Sequence, residues 1–363
     1  MASDTDSGFR FPALIGGVPL PIDFAPAILF SILYGLLIPV VLYRLIHKRS
    51  RTTVVAGTGG FVIERTVAYA LRAHAAHNAG FRASHGLEIY LQVAINAGFI
   101  TIGTDTLALL RALLVDATFG KPQPTSGSDA SNTTLSLGGL PEADAASGSR
   151  SHDHRVRGPS TSSSGRGDLA KDQTSVKPPT MASDRPGFEG ERTDLPLARR
   201  NIRTVCGIAS LVFLAVVIIS IIAGVDYRKA IDSGADASQV QVLRYASSGI
   251  VLFLLVCMIC GSLYTIAKAR RVPRRPLILI VVISVLLTVV TIYRLIVMRN
   301  WVTSLLSTAP GSQNTSGAKA AWWVFHATPE LLASALFMSV NLRQWYKTGP
   351  FGDINSEKPA TVP

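Results

Sequence analysis

The chain has 363 residues, of which 16% are charged and 48% hydrophobic, and its mean hydropathy is +0.34. A soluble domain carries charge on about a quarter of its residues, so this composition excludes an ordinary water-soluble globular protein. The net charge of +12 comes from basic residues beside long apolar runs. That is the flanking pattern of a membrane protein, and no nucleic-acid-binding motif accompanies it.

In chain order, residues 1–24 read as a short polar lead containing prolines. They lack the basic start and short apolar core of a cleavable signal peptide, so the first apolar helix is expected to be the anchor. That helix is predicted over Ala25–Ile46, with Pro39 near its end. Helix two is predicted over Thr53–Leu71. Its Gly57, Gly59 and Gly60 would allow close helix packing, and Glu64 and Arg65 lie near its centre. Helix three is predicted over Leu87–Leu110. Glu88, Gln92 and Asn96 recur every four residues and form one polar stripe, while Asp105 lies deeper on another face.

Residues 116–197 are rich in Ser, Thr, Gly, Pro and mixed charge. Such a segment cannot bury enough apolar surface to offset its ordering entropy, and it is predicted to be a disordered loop. Ser160–Ser164 within it reads as either a phosphorylation patch or low-complexity filler. Helices four, five and six are predicted over Val205–Ile222, Ala246–Ala267 and Leu277–Val297, and Arg294 is the charge within the last of them. Helix seven is predicted over Ala320–Leu342. Trp322 and Trp323 open it, as in an interfacial aromatic belt. His326 and Glu330 share one of its faces, and Pro329 should kink it. Residues 348–363 read as a disordered tail. Cys206, Cys257 and Cys260 all fall inside predicted helices, where they read as small packing residues. His74, His77 and His85 cluster in the second loop and read as solvated side chains, with no metal.

Flanking charge sets the orientation. With the N-terminus outside, the inner side holds sixteen basic residues: Arg44, Lys48, Arg49, Arg51, Arg111, Lys121, Arg199, Arg200, Arg203, Lys268, Arg270, Arg271, Arg274, Arg275, Arg343 and Lys347. The outer side holds eight: Arg10, Arg72, Arg82, Arg228, Lys229, Arg244, Arg299 and Lys319. The predicted fold is therefore an all-α integral membrane protein of seven transmembrane helices, in the plasma membrane or an endomembrane. Its N-terminus (1–24) lies outside, three helices (25–115) precede the cytoplasmic loop (116–197), four more (198–347) follow it, and the tail (348–363) is cytoplasmic. Asn314-Thr-Ser316 is a glycosylation acceptor on the last outer loop.

Glu64, Arg65, Asp105, Arg294, His326 and Glu330 form an intramembrane ionisable set, with Tyr69 and Gln92 among the polar residues of the same helices. A charge at mid-bilayer costs roughly 2.5–3.5 kcal/mol on insertion scales, so these side chains must face protein or water. Two readings stand: a polar cavity that binds a lipid headgroup, ligand or proton, or ion pairs that fix helix packing. No nucleophile elbow, phosphate loop, dinucleotide fingerprint or zinc-protease motif is present, so neither an enzyme nor a cofactor is expected.

Several motifs resemble the fungal lipid-translocating exporter, or aminocholesterol-resistance, family of seven-helix proteins. Glu64 followed by Val67-Ala-Tyr69-Ala-Leu-Arg72 is similar to that family's Glu…Gly-Tyr-x-x-Arg signature, with Ala68 replacing the glycine and Glu64 one residue out of register. Tyr90-Leu-Gln92 is similar to its helix-three start, and Tyr293-Arg294 to its helix-six pair, although Val297 and Met298 follow where the family has an acidic residue. Trp323-Val-Phe325-His326-Ala-Thr-Pro329 resembles its Tyr-x-Phe-Asp-x-x-Pro element, with His326 in place of aspartate. The resemblance covers four of the seven predicted helices. It implies a protein that moves or senses a membrane lipid or amphipathic small molecule. The alternative is a receptor-like protein whose 116–197 loop and Lys268–Arg275 loop contact cytoplasmic partners; it lacks an acidic residue before Arg111 and an outer-loop cysteine pair.

Overall fold

The structure is a computed structural model that describes residues 9–47, 50–119, 194–269, 271–309 and 311–348. The loop prediction for 120–193, its phosphorylation patch and the tail prediction for 349–363 lie outside the described residues.

In order, the helices are α1 (Phe24–Ile46), α2 (Val55–His77), α3 (Ala79–Arg82), α4 (His85–Asp116), α5 (Pro196–Val225), α6 (Tyr227–Asp232), α7 (Gly234–Lys268) and α8 (Arg274–Val297). The last long segment comprises α9 (Ser316–Trp322), a π turn over Trp323–Ala327, and α10 (Thr328–Ser339), and α11 (Leu342–Tyr346) follows it. The only strands among the described residues are β1 (Phe11–Pro12) and β2 (Trp301–Val302). They pair antiparallel, with Phe11 opposite Val302.

Five helical stretches are long and apolar enough to cross a membrane: Pro21–Ile46, His85–Asp116, Pro196–Val225, Gly234–Lys268 and Arg274–Val297. α2 carries Glu64, Arg65 and Arg72 within 23 residues, and the π turn divides the last segment, so neither is among the five. Large apolar side chains cover the outer faces: Leu36 is 66% exposed on α1, Leu211 67% on α5 and Phe253 66% on α7. In water such continuous apolar faces would be adhesive surfaces, but hydrocarbon covers them at no such cost. The interior is built around α4, which packs against α2, α5, α7, α8 and α10 and buries residues on all sides.

The helices begin where local chemistry allows. Pro196 opens α5, a position where its missing N–H costs nothing. Thr315 caps α9 by accepting from Ala318 N at 3.3 Å, and Asn78 caps α3 by accepting from Phe81 N at 2.9 Å. The expected kink in the last segment is a π turn. Thr328 N–H and its hydroxyl both reach back to Trp323 O, and Pro329, which has no N–H to give, follows directly.

The structure corrects several sequence boundaries. α7 begins at Gly234 rather than Ala246, because the polar run before Ala246 still buries Ala237, Val240, Gln241 and Arg244. α4 runs on to Asp116, and α5 starts at Pro196 rather than Val205. Thr118 O accepts from Leu195 N at 3.0 Å, so the ends of the 116–197 region meet. The N-terminal lead is no loose strand of polar chain. Phe11, Ala13, Leu14, Ile15 and Val18 are all buried and close one end of the helices.

Candidate functional site

Two buried polar groupings and one cavity account for most of the polar interior. The first grouping joins α2 to α10. Arg65 Nε and Nη2 donate to Glu330 Oε2 and Oε1, both at 3.1 Å, a two-pronged contact that fits the planar guanidinium to the carboxylate. Arg65 Nη1 also reaches Glu64 Oε2 at 3.4 Å, and Tyr90 donates to Glu64 Oε1 at 3.5 Å. Glu330 and His326 are fully buried. His326 Nδ1 stands 3.5 Å from Glu330 Oε1, yet neither ring nitrogen makes a hydrogen bond with a described residue. Tyr69 packs its ring against Trp323 at 5.5 Å and Tyr34 at 5.7 Å. Gly98 makes the crossing possible, since an added Cβ there would sit 2.9 Å from both Arg65 Nη2 and Phe61.

The other predicted ionisable residues lie elsewhere. Arg294 is held without a carboxylate, donating to Ile95 O and, at 2.7 Å, to Asn96 Oδ1. Its guanidinium lies 4.9 Å from the Phe99 ring centre. Asp105 accepts from Thr58 N and Oγ1, where Gly57 lets α2 approach it. Glu64, Arg65, Tyr69, His326 and Glu330 thus share one cluster, Arg294 sits beside it against α4, and Asp105 stands apart.

The second grouping ties the N-terminal segment down. Lys319 Nζ donates to Gly16 O, Val18 O and Asp23 Oδ2 at 3.0, 2.5 and 2.6 Å, which uses all three of its donors. Arg72 Nη2 donates to Gly16 O and to Asp23 Oδ2 while its guanidinium lies 4.4 Å from the Trp322 ring centre. Arg244 donates through both terminal nitrogens to Ala13 O at 3.2 Å, and Tyr227 donates to Pro12 O at 2.6 Å. Burial raises the Tyr227 phenol above its ordinary range, so it stays a donor. Arg72, Arg244 and Lys319 are among the eight basic residues expected on the outer side. All three are buried, because backbone carbonyls of the 13–18 segment receive them.

Asn314 also belongs to this network. Its Oδ1 accepts from Val18 N at 2.9 Å, and its Nδ2 donates to Leu305 O and Ser307 O at 2.7 and 2.9 Å. A glycan on that nitrogen would replace one of its two N–H donors and so remove at least one of these bonds. In this structure the sequon asparagine, Asn314, is a buried cross-link between Val18 and the 305–307 loop.

Beside this network lies a cavity of about 590 Å³. Its walls are the 11–19 segment, the end of α2 with α3, the start of α4, α6, and the 303–306 loop. Phe11, Leu14, Val18, Leu87, Leu91, Leu305 and Leu306 supply apolar surface, and Arg72, Arg82, Arg228, His85, Glu88 and Gln92 supply polar groups. Of the predicted site residues, only Gln92 lines it. The Glu88–Gln92 half of the α4 stripe points here, and Asn96, one turn further on, turns to Arg294. Gln92 Oε1 and Glu88 Oε1 are buried with no hydrogen-bond partner among the described residues. Arg82 and Arg228 lay hidden in the sequence as ordinary flanking charges, and only the juxtaposition of α3 and α6 marks them.

His74 and His77 are exposed and meet the rings of Phe81 and Phe24. No group of metal-ligating side chains forms among the described residues. Compared with protein-family models, characterised proteins and solved structures, the chain matches none.

Proposed function

We propose that the chain is a seven-span membrane protein, with its N-terminal end outside, that takes up a membrane amphiphile in the cavity between the N-terminal segment and α4 and thereby moves or senses it. The observation that carries this reading is the cavity itself. It is large enough for a lipid headgroup with part of a chain, apolar on one side and charged on the other. It also lies within the first turns of α4, about 10 Å from that helix's start at 1.5 Å per residue. That is headgroup depth for a helix that begins at the membrane surface. The sixteen-to-eight bias of basic flanks supports the orientation, and the resemblance of the helix-two, -three, -six and -seven motifs to lipid-translocating exporters points to the same class of ligand. α2 and the α9–α10 segment act as the two additional spans, because the Arg65–Glu330 pair lets each bury the other's charge.

The test is a cavity-filling variant. Ala83 is exposed at the cavity wall, so Ala83→Trp fills the space without disturbing the core. In nanodiscs, the variant should fold normally and lose saturable binding of a fluorescent lauroyl lipid that the unmodified protein retains. Equal binding by both proteins would remove the cavity from the account.

A further inference from the structure

Resting on the reading of this cavity as an amphiphile site, we propose that it selects headgroups that join an acidic group, phosphate above all, to a hydrogen-bond donor such as a hydroxyl. Three arginines and one glutamate line the space. Arg72 is committed to Asp23 and the Gly16 carbonyl. Arg82 and Arg228 are half-buried and make no hydrogen bond or ion pair with another described residue. Arg228 lies within electrostatic range of Glu88 without touching it. Two guanidiniums held at the edge of an apolar cavity, away from full solvation, are the groups that bind phosphate or carboxylate by paired, charge-assisted hydrogen bonds. A purely apolar or cationic ligand would leave both unpaired.

The second half of the selection comes from α4. Gln92 is 3% exposed, and its Oε1 is without a partner among the described residues. A buried acceptor left unmade is costly, and a ligand hydroxyl or ammonium satisfies it. Glu88 Oε1, one turn earlier on the same face, has the same need. The walls therefore present cations from α3 and α6 and acceptors from α4, with apolar side chains of the 11–18 segment and the 303–306 loop for the chain. Lysophosphatidic acid has this pattern: a phosphate, a free hydroxyl and one acyl chain. Soluble phosphoesters share the headgroup chemistry, and the apolar wall distinguishes the two sources.

The experiment compares four probes on the full chain in phosphatidylcholine nanodiscs, with empty nanodiscs subtracted: lauroyl lysophosphatidic acid, monolauroylglycerol, dodecyl phosphate and inorganic phosphate. Lauroyl lysophosphatidic acid should bind at least about tenfold more tightly than monolauroylglycerol, the gain expected of charge-assisted bonds. The Arg82→Gln/Arg228→Gln variant should erase that difference while monolauroylglycerol binding stays within about threefold. Gln92→Leu should reduce the advantage of lysophosphatidic acid over dodecyl phosphate, which lacks the hydroxyl. Should the double variant fail to fold, Arg82→Gln alone carries the same comparison. Equal binding of all three lauroyl or dodecyl probes, still abolished by Ala83→Trp, would overturn the headgroup selection and leave the cavity reading intact. Binding indifferent to Ala83→Trp would overturn both. Inorganic phosphate competing as strongly as lysophosphatidic acid would make the site one for soluble phosphate and overturn the amphiphile source.

Discussion

Glu330 and Arg65 meet through two hydrogen bonds deep between α2 and α10, and without Glu330 the buried Arg65 would keep only its 3.4 Å contact with the partly exposed Glu64. Removing one partner of a buried pair leaves the second uncompensated, at a cost of about 3–5 kcal/mol, whereas replacing both with apolar side chains of similar size is often neutral. Glu330→Gln should therefore lower the detergent-solubilised melting temperature sharply. Arg65→Met combined with Glu330→Leu should recover most of the loss. A normal melting temperature for Glu330→Gln alone would mean that the pair contributes no packing energy. The sequence puts two arginines, Arg65 and Arg294, in the same intramembrane set as Glu330, and either could be its partner. Nothing in the spacing could choose between them, because the choice rests on Gly98, whose missing side chain opens the path for Arg65. Arg294 is instead hydrogen-bonded by a side-chain amide oxygen and a backbone carbonyl, partners that leave no charge pattern to read.

Among the elements, the N-terminal segment departs most from what its composition suggested. Segment 9–20 has too few residues to show a periodicity, and its stability is supplied by side chains hundreds of positions away: Arg244, Lys319 and Asn314. Gly17 is where that segment is most demanding. Its φ is +62°, and an added Cβ would meet Asn314 Oδ1 and Gln313 O at 2.5 Å. Left-handed backbone is disfavoured for a β-branched residue, and here the contact is with backbone that cannot yield. Gly17→Val should release the segment, so that limited proteolysis cuts within residues 9–20 while the helices remain protected. An unchanged digestion pattern would show that the segment is held by the Asp23–Lys319–Arg72 network alone. The apolar middles of the helices, by contrast, were legible, since long runs of Leu, Ile and Val have only one use in a chain this poor in charge. Their ends were not, because polar turns such as 234–245 remain helical when a neighbour buries them.

For the whole molecule, the sequence placed the charged residues of helices two, three, six and seven in one polar interior. The structure divides that interior into a closed ion-paired cluster, a carbonyl-bound network under the N-terminal segment, and an open cavity. A buried charge in a membrane protein reads the same in sequence whether it holds helices together or faces a ligand. Only unpaired polar atoms in a space large enough for a ligand separate the cases, and these belong to Gln92, Glu88, Arg82 and Arg228 rather than to Glu330. The proposed function requires an amphiphile to occupy that space. The most direct measurement is photolabelling of the nanodisc-embedded protein with a lauroyl lipid bearing a diazirine near its headgroup, followed by mapping of the modified peptides. Competable labelling concentrated in residues 79–92 and 303–306 is the predicted result. Labelling spread over the exposed faces of α1, α5 and α7, with none in those two segments that an excess of unlabelled lipid removes, would contradict it.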